Sequence, residues 1–131
     1  MSMRLAPHRL PPLLAFMVLA ACARGESPKT DADKAARRDA ELIAASKDAA
    51  TVKAGKATYA ALCIACHGAE TAKGDSPSNL FDTKWYHGSR PSEIERTVLT
   101  GFLEKNMPPW GEVLPPEDTT AVVAFILSQQ K

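Results

Sequence analysis

With 131 residues the chain has room for one compact domain and not two. Sixteen lysines and arginines stand against fifteen aspartates and glutamates, so there is no basic field to attract nucleic acid. Three cysteines are an odd number, which argues against the paired disulfide framework of a small exported domain.

Arg4, His8 and Arg9 precede a short apolar run, 13–21, that ends at Cys22. A basic start followed by so short a run reads as an export signal, because it is too short to cross a bilayer as a mature helix. Leu19-Ala20-Ala21-Cys22 resembles the bacterial lipobox, whose cysteine takes a diacylglycerol thioether and becomes the new N terminus. The rival reading is ordinary cleavage near Ala21-Cys22-Ala23, which would leave Cys22 without a role. The expected product is exported and lipid-anchored through Cys22 on the periplasmic side of a bacterial membrane. Each buried methylene of the acyl chains contributes about 0.8 kcal/mol to that anchoring. Loss of Arg4 and Arg9 with the signal peptide 1–21 leaves fourteen basic against fifteen acidic residues.

Residues 22–47 are rich in Ala, Lys, Arg, Asp and Glu, with Leu42 and Ile43 nearly the only large apolar groups. Such a segment cannot build a core and reads as a flexible linker between lipid and domain, partly helical at most. The folded domain is placed at 48–131. Its first helix begins at Asp48, a good N-cap, and carries Val52, Tyr59, Leu62, Cys63 and Cys66 on one stripe. Gly55 lies on that stripe, where glycine costs about 1 kcal/mol against alanine, so close approach of another helix is expected there. A second helix opens at Pro91, with Ser92-Glu93-Ile94-Glu95 fitting a capping box and Ile94, Val98, Leu99 and Phe102 as its apolar face. Gly101 helps to end it. A third starts at Pro115-Pro116-Glu117-Asp118 and continues through Val122, Val123, Phe125, Ile126 and Leu127. No strand pattern and no internal repeat is present, so the class is all-α.

Chemistry concentrates in Cys63-Ile64-Ala65-Cys66-His67. Two thiols three positions apart near a helix end can form thioethers with the two vinyl groups on one porphyrin edge. The following imidazole can then turn under the iron, and C-x-x-C-H reads as attachment of one haem c. A thioredoxin-like pair would need a βαβ context, and a zinc site would need a second cysteine pair. For the sixth iron ligand the mature chain offers Met107 and His87, since Met1, Met3, Met17 and His8 leave with the signal peptide. Met107 sits in Asn106-Met107-Pro108-Pro109-Trp110, which is no apolar core stripe, and prolines stiffen the loop. That favours Met107, with His87 or an open position as alternatives.

Over residues 48–130 the chain resembles the class I cytochrome c family. Gly55 and Tyr59, the Cys63–Cys66–His67 motif, a Pro-Leu region, Met107 and an aromatic-bearing last helix follow in family order. The runs 79–88 and Met107-Pro108-Pro109-Trp110-Gly111 look like the c-type subunit of cbb-type haem–copper oxidases. Those subunits carry two such domains and a membrane helix, so a free-standing relative is expected here. The resemblance implies a small fold of three or more helices wrapped around one covalent haem, with Gly55 and Tyr59 crossing the last helix near Val122, Phe125 and Ile126. It places Tyr59, Pro77, Leu80 and Trp85 among the haem-binding residues. Pro77 is to offer its carbonyl to His67 Nδ1–H, and Trp85 its indole N–H to a propionate. Pro77-Ser78-Asn79-Leu80 has one residue more between Pro and Leu than the usual pattern.

The resulting expectation is a monomeric electron carrier, not an enzyme in itself, serving membrane respiratory complexes or periplasmic redox proteins. The alternatives are a fixed relay subunit of a dehydrogenase or oxidase, and a haem sensor with a labile sixth ligand.

Overall fold

The computed structural model describes residues 30–71 and 78–130. The expected signal peptide 1–21, Cys22, the start of the expected linker and Pro77 lie outside the described residues. Those described form α1 (Asp31–Ala45), α2 (Ala49–Leu62), α3 (Ile64–His67), α4 (Pro91–Thr100) and α5 (Pro116–Ser128), with a 3-10 turn at Leu103–Lys105. Their class is all-α, and the one β feature among them is an isolated antiparallel bridge between Phe102 and Met107.

The centre of the fold is the crossing of α2 on α5. Asp48 caps α2 by accepting the Thr51 N–H at 2.8 Å. A Cβ built on Gly55 would lie 1.8 Å from the Ala121 carbonyl oxygen, so the two helix backbones touch and glycine is required. Residues 121–126 of α5 are all buried, as befits a helix covered on every side. Tyr59, Phe81 and Phe125 close the crossing as a ring cluster, with Tyr59 centroids 5.4 and 5.3 Å from the other two. Their edge-on and tilted contacts are those that ring quadrupoles prefer. The first expected helix is interrupted at Cys63, so α3 is a separate single turn.

The linker assigned to 22–47 is corrected by α1. Thr30 and Asp33 form a capping box at its start, and Leu42 is fully buried against the core. What docks this polar helix is charge. Arg38 pairs with Glu95 of α4 and donates to Thr120 of α5 at 2.7 Å, while Arg90 donates to Asp39 at 3.0 and 2.6 Å. A segment too poor in apolar residues to make a core can thus still dock on one. Among the described residues, docked helical structure therefore already starts at Asp31, ahead of the expected boundary at 48.

The cap of α4 also differs from expectation. Arg90 is the N-cap and Glu93 accepts its backbone N–H at 3.1 Å, while Ser92 lies inside the helix. The Ser92 N–H donates across to Asp39 at 2.7 Å, so α1 supplies a cap that α4 lacks. Burial works to raise the pKa of the Asp39 carboxyl, but hydrogen bonds from Ser92 and the Arg90 guanidinium outweigh it and hold the group below the ordinary aspartate range. A depressed carboxyl stabilises the fold above its unfolded pKa of about 4 and loses that contribution as pH falls through the lower folded value. Acidification below about pH 4 should therefore loosen α1 from α4, seen as faster hydrogen exchange at residues 34–45. Asp39→Asn should exchange faster at neutral pH and lose most of that pH response.

Candidate functional site

Two arms carry the chemistry-bearing side chains to one cavity. In the first, Cys63 closes α2 and its carbonyl accepts the N–H groups of both Cys66 (3.1 Å) and His67 (3.0 Å). Gly68 then redirects the chain at φ +74°. The Tyr59 hydroxyl donates to the Gly68 carbonyl at 2.7 Å and pins this turn. Burial pushes the Tyr59 pKa well up, with Cys63 and Glu70 adding to it, so the phenol stays a donor.

His67 Nδ1 lies 2.7 Å from the Ser78 carbonyl oxygen. A carbonyl can only accept, so Nδ1 carries the proton and Nε2 keeps a free lone pair. Pro77 was the expected acceptor; the extra residue in Pro77-Ser78-Asn79-Leu80 gives the role to Ser78 instead. The loop behind it is held by Asn79 Oδ1, which accepts the Phe81 N–H at 2.9 Å, and by Gln130 Nε2, which donates to the Leu80 carbonyl at 2.7 Å.

The second arm follows α4. Gly101 ends the helix at φ +67°, and Asn106 takes the left-handed conformation at φ +58°. Phe102 N–H donates to the Met107 carbonyl at 2.8 Å, and Met107 N–H donates back to the Phe102 carbonyl at 3.1 Å. Trp110 and Gly111 then donate to the carbonyls of Val98 and Leu99, both at 3.1 Å, satisfying acceptors at the end of α4. A Cβ on Gly101 would sit 2.5 Å from Pro109 N and 2.7 Å from the Met107 oxygen. Glycine is needed there both for its φ and for the closeness of this arm.

Between the arms lies a cavity of about 870 Å³ whose walls include Cys63, Cys66, His67 and Met107. Cofactor clefts commonly span roughly 300–1,000 Å³. Leu80, Trp85 and His87 also line it, and Ile94, Val122 and Ile126 form part of its apolar wall. Trp85 is half-buried and packs on the core cluster as well. Tyr59 does not reach the cavity: it sits in the ring cluster behind His67, so its expected contact with the cofactor becomes support of the turn. Lys84 and Lys105 line the cavity too and were missed. Lys84 lies in a loop and Lys105 ends the 3-10 turn, both placed by tertiary contacts, and no local pattern marks them.

The residues fit a covalently attached haem. Both thiols are free, Cys66 exposed and Cys63 half-buried, with burial and then Cys66 raising the Cys63 pKa. A tautomer-fixed imidazole and a thioether share their cavity. Among the described residues no group of three or more His, Cys, Asp or Glu is gathered to hold a bare metal ion. None of the described helices is long and apolar enough to cross a membrane.

The model of the family described as "Cytochrome C oxidase, cbb3-type, subunit III" matches residues 50–126. The cbb3-type cytochrome c oxidase subunit FixP of Sinorhizobium medicae is 33% identical over 85 residues, covering 59% of this chain and 29% of FixP. The subunit CcoP of Rubrivivax gelatinosus is 36% identical over 90 residues, covering 68% of this chain and 29% of CcoP. The chain therefore spans under a third of the length of these relatives. No solved structure matches.

Proposed function

Because the chain belongs to the family of cbb3-type cytochrome c oxidase subunit III, we propose that it is a mono-haem c-type cytochrome carrying single electrons between redox partners. Cys63 and Cys66 bond the haem, and His67 and Met107 hold its iron. The observation that carries this reading is the convergence of two thiols, an imidazole with free Nε2 and a thioether on one largely apolar cavity. When bound, the haem iron supplies a one-electron Fe(II)/Fe(III) couple.

The protein sets the character of that couple. Ser78 fixes the tautomer and ring direction of His67. The Met107 thioether favours Fe(II), which raises the potential above that of a bis-histidine site. With the haem bound, apolar walls that include Leu80 would keep water from the iron, and the indole N–H of Trp85, which also lines the cavity, would serve a propionate. Tyr59 holds the turn that carries His67.

Export and lipidation at Cys22 belong to the same proposal, with the domain on the periplasmic side of a bacterial membrane. Eight residues lie between Cys22 and the start of α1 at Asp31. Such a monomer would meet membrane respiratory complexes or periplasmic redox proteins close to the lipid surface. A second reading, a fixed relay subunit, is favoured by relatives that are named as oxidase subunits. Stable co-purification with a membrane complex would select it over a mobile carrier.

The deciding experiment is the absorption spectrum of the mature ferric protein. The weak red-region band of sulfur-to-iron charge transfer should be present and should vanish completely in Met107→Ala. Its absence from the unaltered protein would remove Met107 as the ligand and bring ligand sensing forward.

A further inference from the structure

His87 is an exposed side chain, yet its ring lies 4.2 Å from that of Phe102, centroid to centroid, at 30° between planes. Phe102 is the residue whose backbone exchanges two hydrogen bonds with Met107. His87, Phe102 and Met107 all line the cavity. From this chain of contacts we propose that His87 is a positioning residue for Met107, acting through its ring on Phe102. The inference rests on Met107 being the iron ligand.

For the Met107 sulfur to leave a metal, its arm has to swing. Downstream motion is restricted, because Pro108 and Pro109 have fixed φ and Trp110 and Gly111 are bonded to the end of α4. Upstream, Gly101 is crowded by the backbone of Pro108 and Pro109. Movement is thus concentrated in the Phe102–Met107 bridge and the turn that it closes. Opening the bridge shifts Phe102 and breaks its stack with His87. Aromatic contacts of this kind are attractive beyond the area they bury, so the stack raises the cost of opening. The imidazole nitrogens have no part in this role; the ring face does. A phenyl ring at the same position would serve equally well.

Cyanide binds ferric haem iron only when the sixth position opens, so its uptake by the mature ferric holoprotein reads how often Met107 lets go. His87→Ala should take up cyanide roughly 2- to 10-fold faster than the unaltered chain, the range that an aromatic pair contributes. His87→Phe should return to the unaltered rate. Thermal unfolding of His87→Ala should shift down by no more than the stack contributes, and His87→Phe should restore the midpoint. Equal rates for His87→Ala and the unaltered chain would overturn the inference. So would a fast rate for His87→Phe, which would assign the effect to the imidazole nitrogens. The sulfur-to-iron band separates this from the underlying reading. A band present with equal rates overturns the role of His87 alone; a band absent from the unaltered chain overturns Met107 ligation, and the role of His87 with it.

Discussion

A chain carrying both Cys63→Ala and Cys66→Ala should mature with no covalently attached haem, and its domain should lose most of its cooperative unfolding. The reason lies in how the described core is divided. Tyr59, Phe125, Val123 and Leu42 are enclosed by protein, whereas Val122, Ile126 and Ile94 also serve as cavity wall. A domain of about this size is marginal on its own apolar burial. A group bound to the native state and not to the unfolded chain stabilises by mass action, and covalent attachment keeps that group at hand. His67 and Met107 remain in the double variant, so reversible haem binding can persist, but it will not survive denaturation. Haem staining after a denaturing gel, with an intact-mass measurement beside it, makes the distinction. Haem still attached to the denatured double variant would sink the c-type reading.

The second large effect is expected at Gly55. Local helix propensity predicts that alanine at this mid-helix position stabilises by about 1 kcal/mol. The tertiary structure predicts the opposite sign. The new Cβ would fall 1.8 Å from the oxygen and 2.4 Å from the carbon of the Ala121 carbonyl, and only 3.0 Å from Phe125 Cβ. The two closest contacts are backbone, so no rotamer change relieves them and α2 must move away from α5. Overpacking in a core typically costs 1–3 kcal/mol, and a clash this close belongs at or above the top of that range, about 3 kcal/mol. Against a total stability of roughly 5–15 kcal/mol that is a large share. Urea unfolding of the holoprotein measures it, and an unchanged or higher midpoint would show that the helices are not held at this crossing. Because α2 ends at Cys63, movement at Gly55 should also disturb the cysteine arm and broaden the haem spectrum.

The chemistry was legible in the sequence because it is local. Cys63, Cys66 and His67 lie within five positions, and one helical turn is enough to set them together. Met107 stood out by elimination and by its prolines, and the fold brings it to the same cavity as the motif. Helices α2, α4 and α5 were readable from their period, and α2 from its Asp48 cap as well, with Gly55 marking the crossing by being the wrong residue for its position.

Other features depend on partners distant in sequence. The charge-rich segment before Asp48 reads as linker by composition, because its docking energy resides in residues more than fifty positions away: Glu95, Arg90, Ser92 and Thr120. The same distance hid the cap that Asp39 provides for α4. Ser78 rather than Pro77 meets His67 because loop closure decides which carbonyl arrives, and one inserted residue changes the answer.

What the sequence by itself determined is the clustering of Cys63, Cys66 and His67 in one motif, the all-α class and the family, since each is written in neighbouring residues or in a short period. What only the tertiary structure decided is that α1 docks on α4 and α5, which backbone groups hold His67 and Met107, and that Tyr59 pins the turn beside the site. Hydrogen bonds and ion pairs between remote elements leave no periodic trace in the chain, because either partner, taken alone, is an ordinary polar residue.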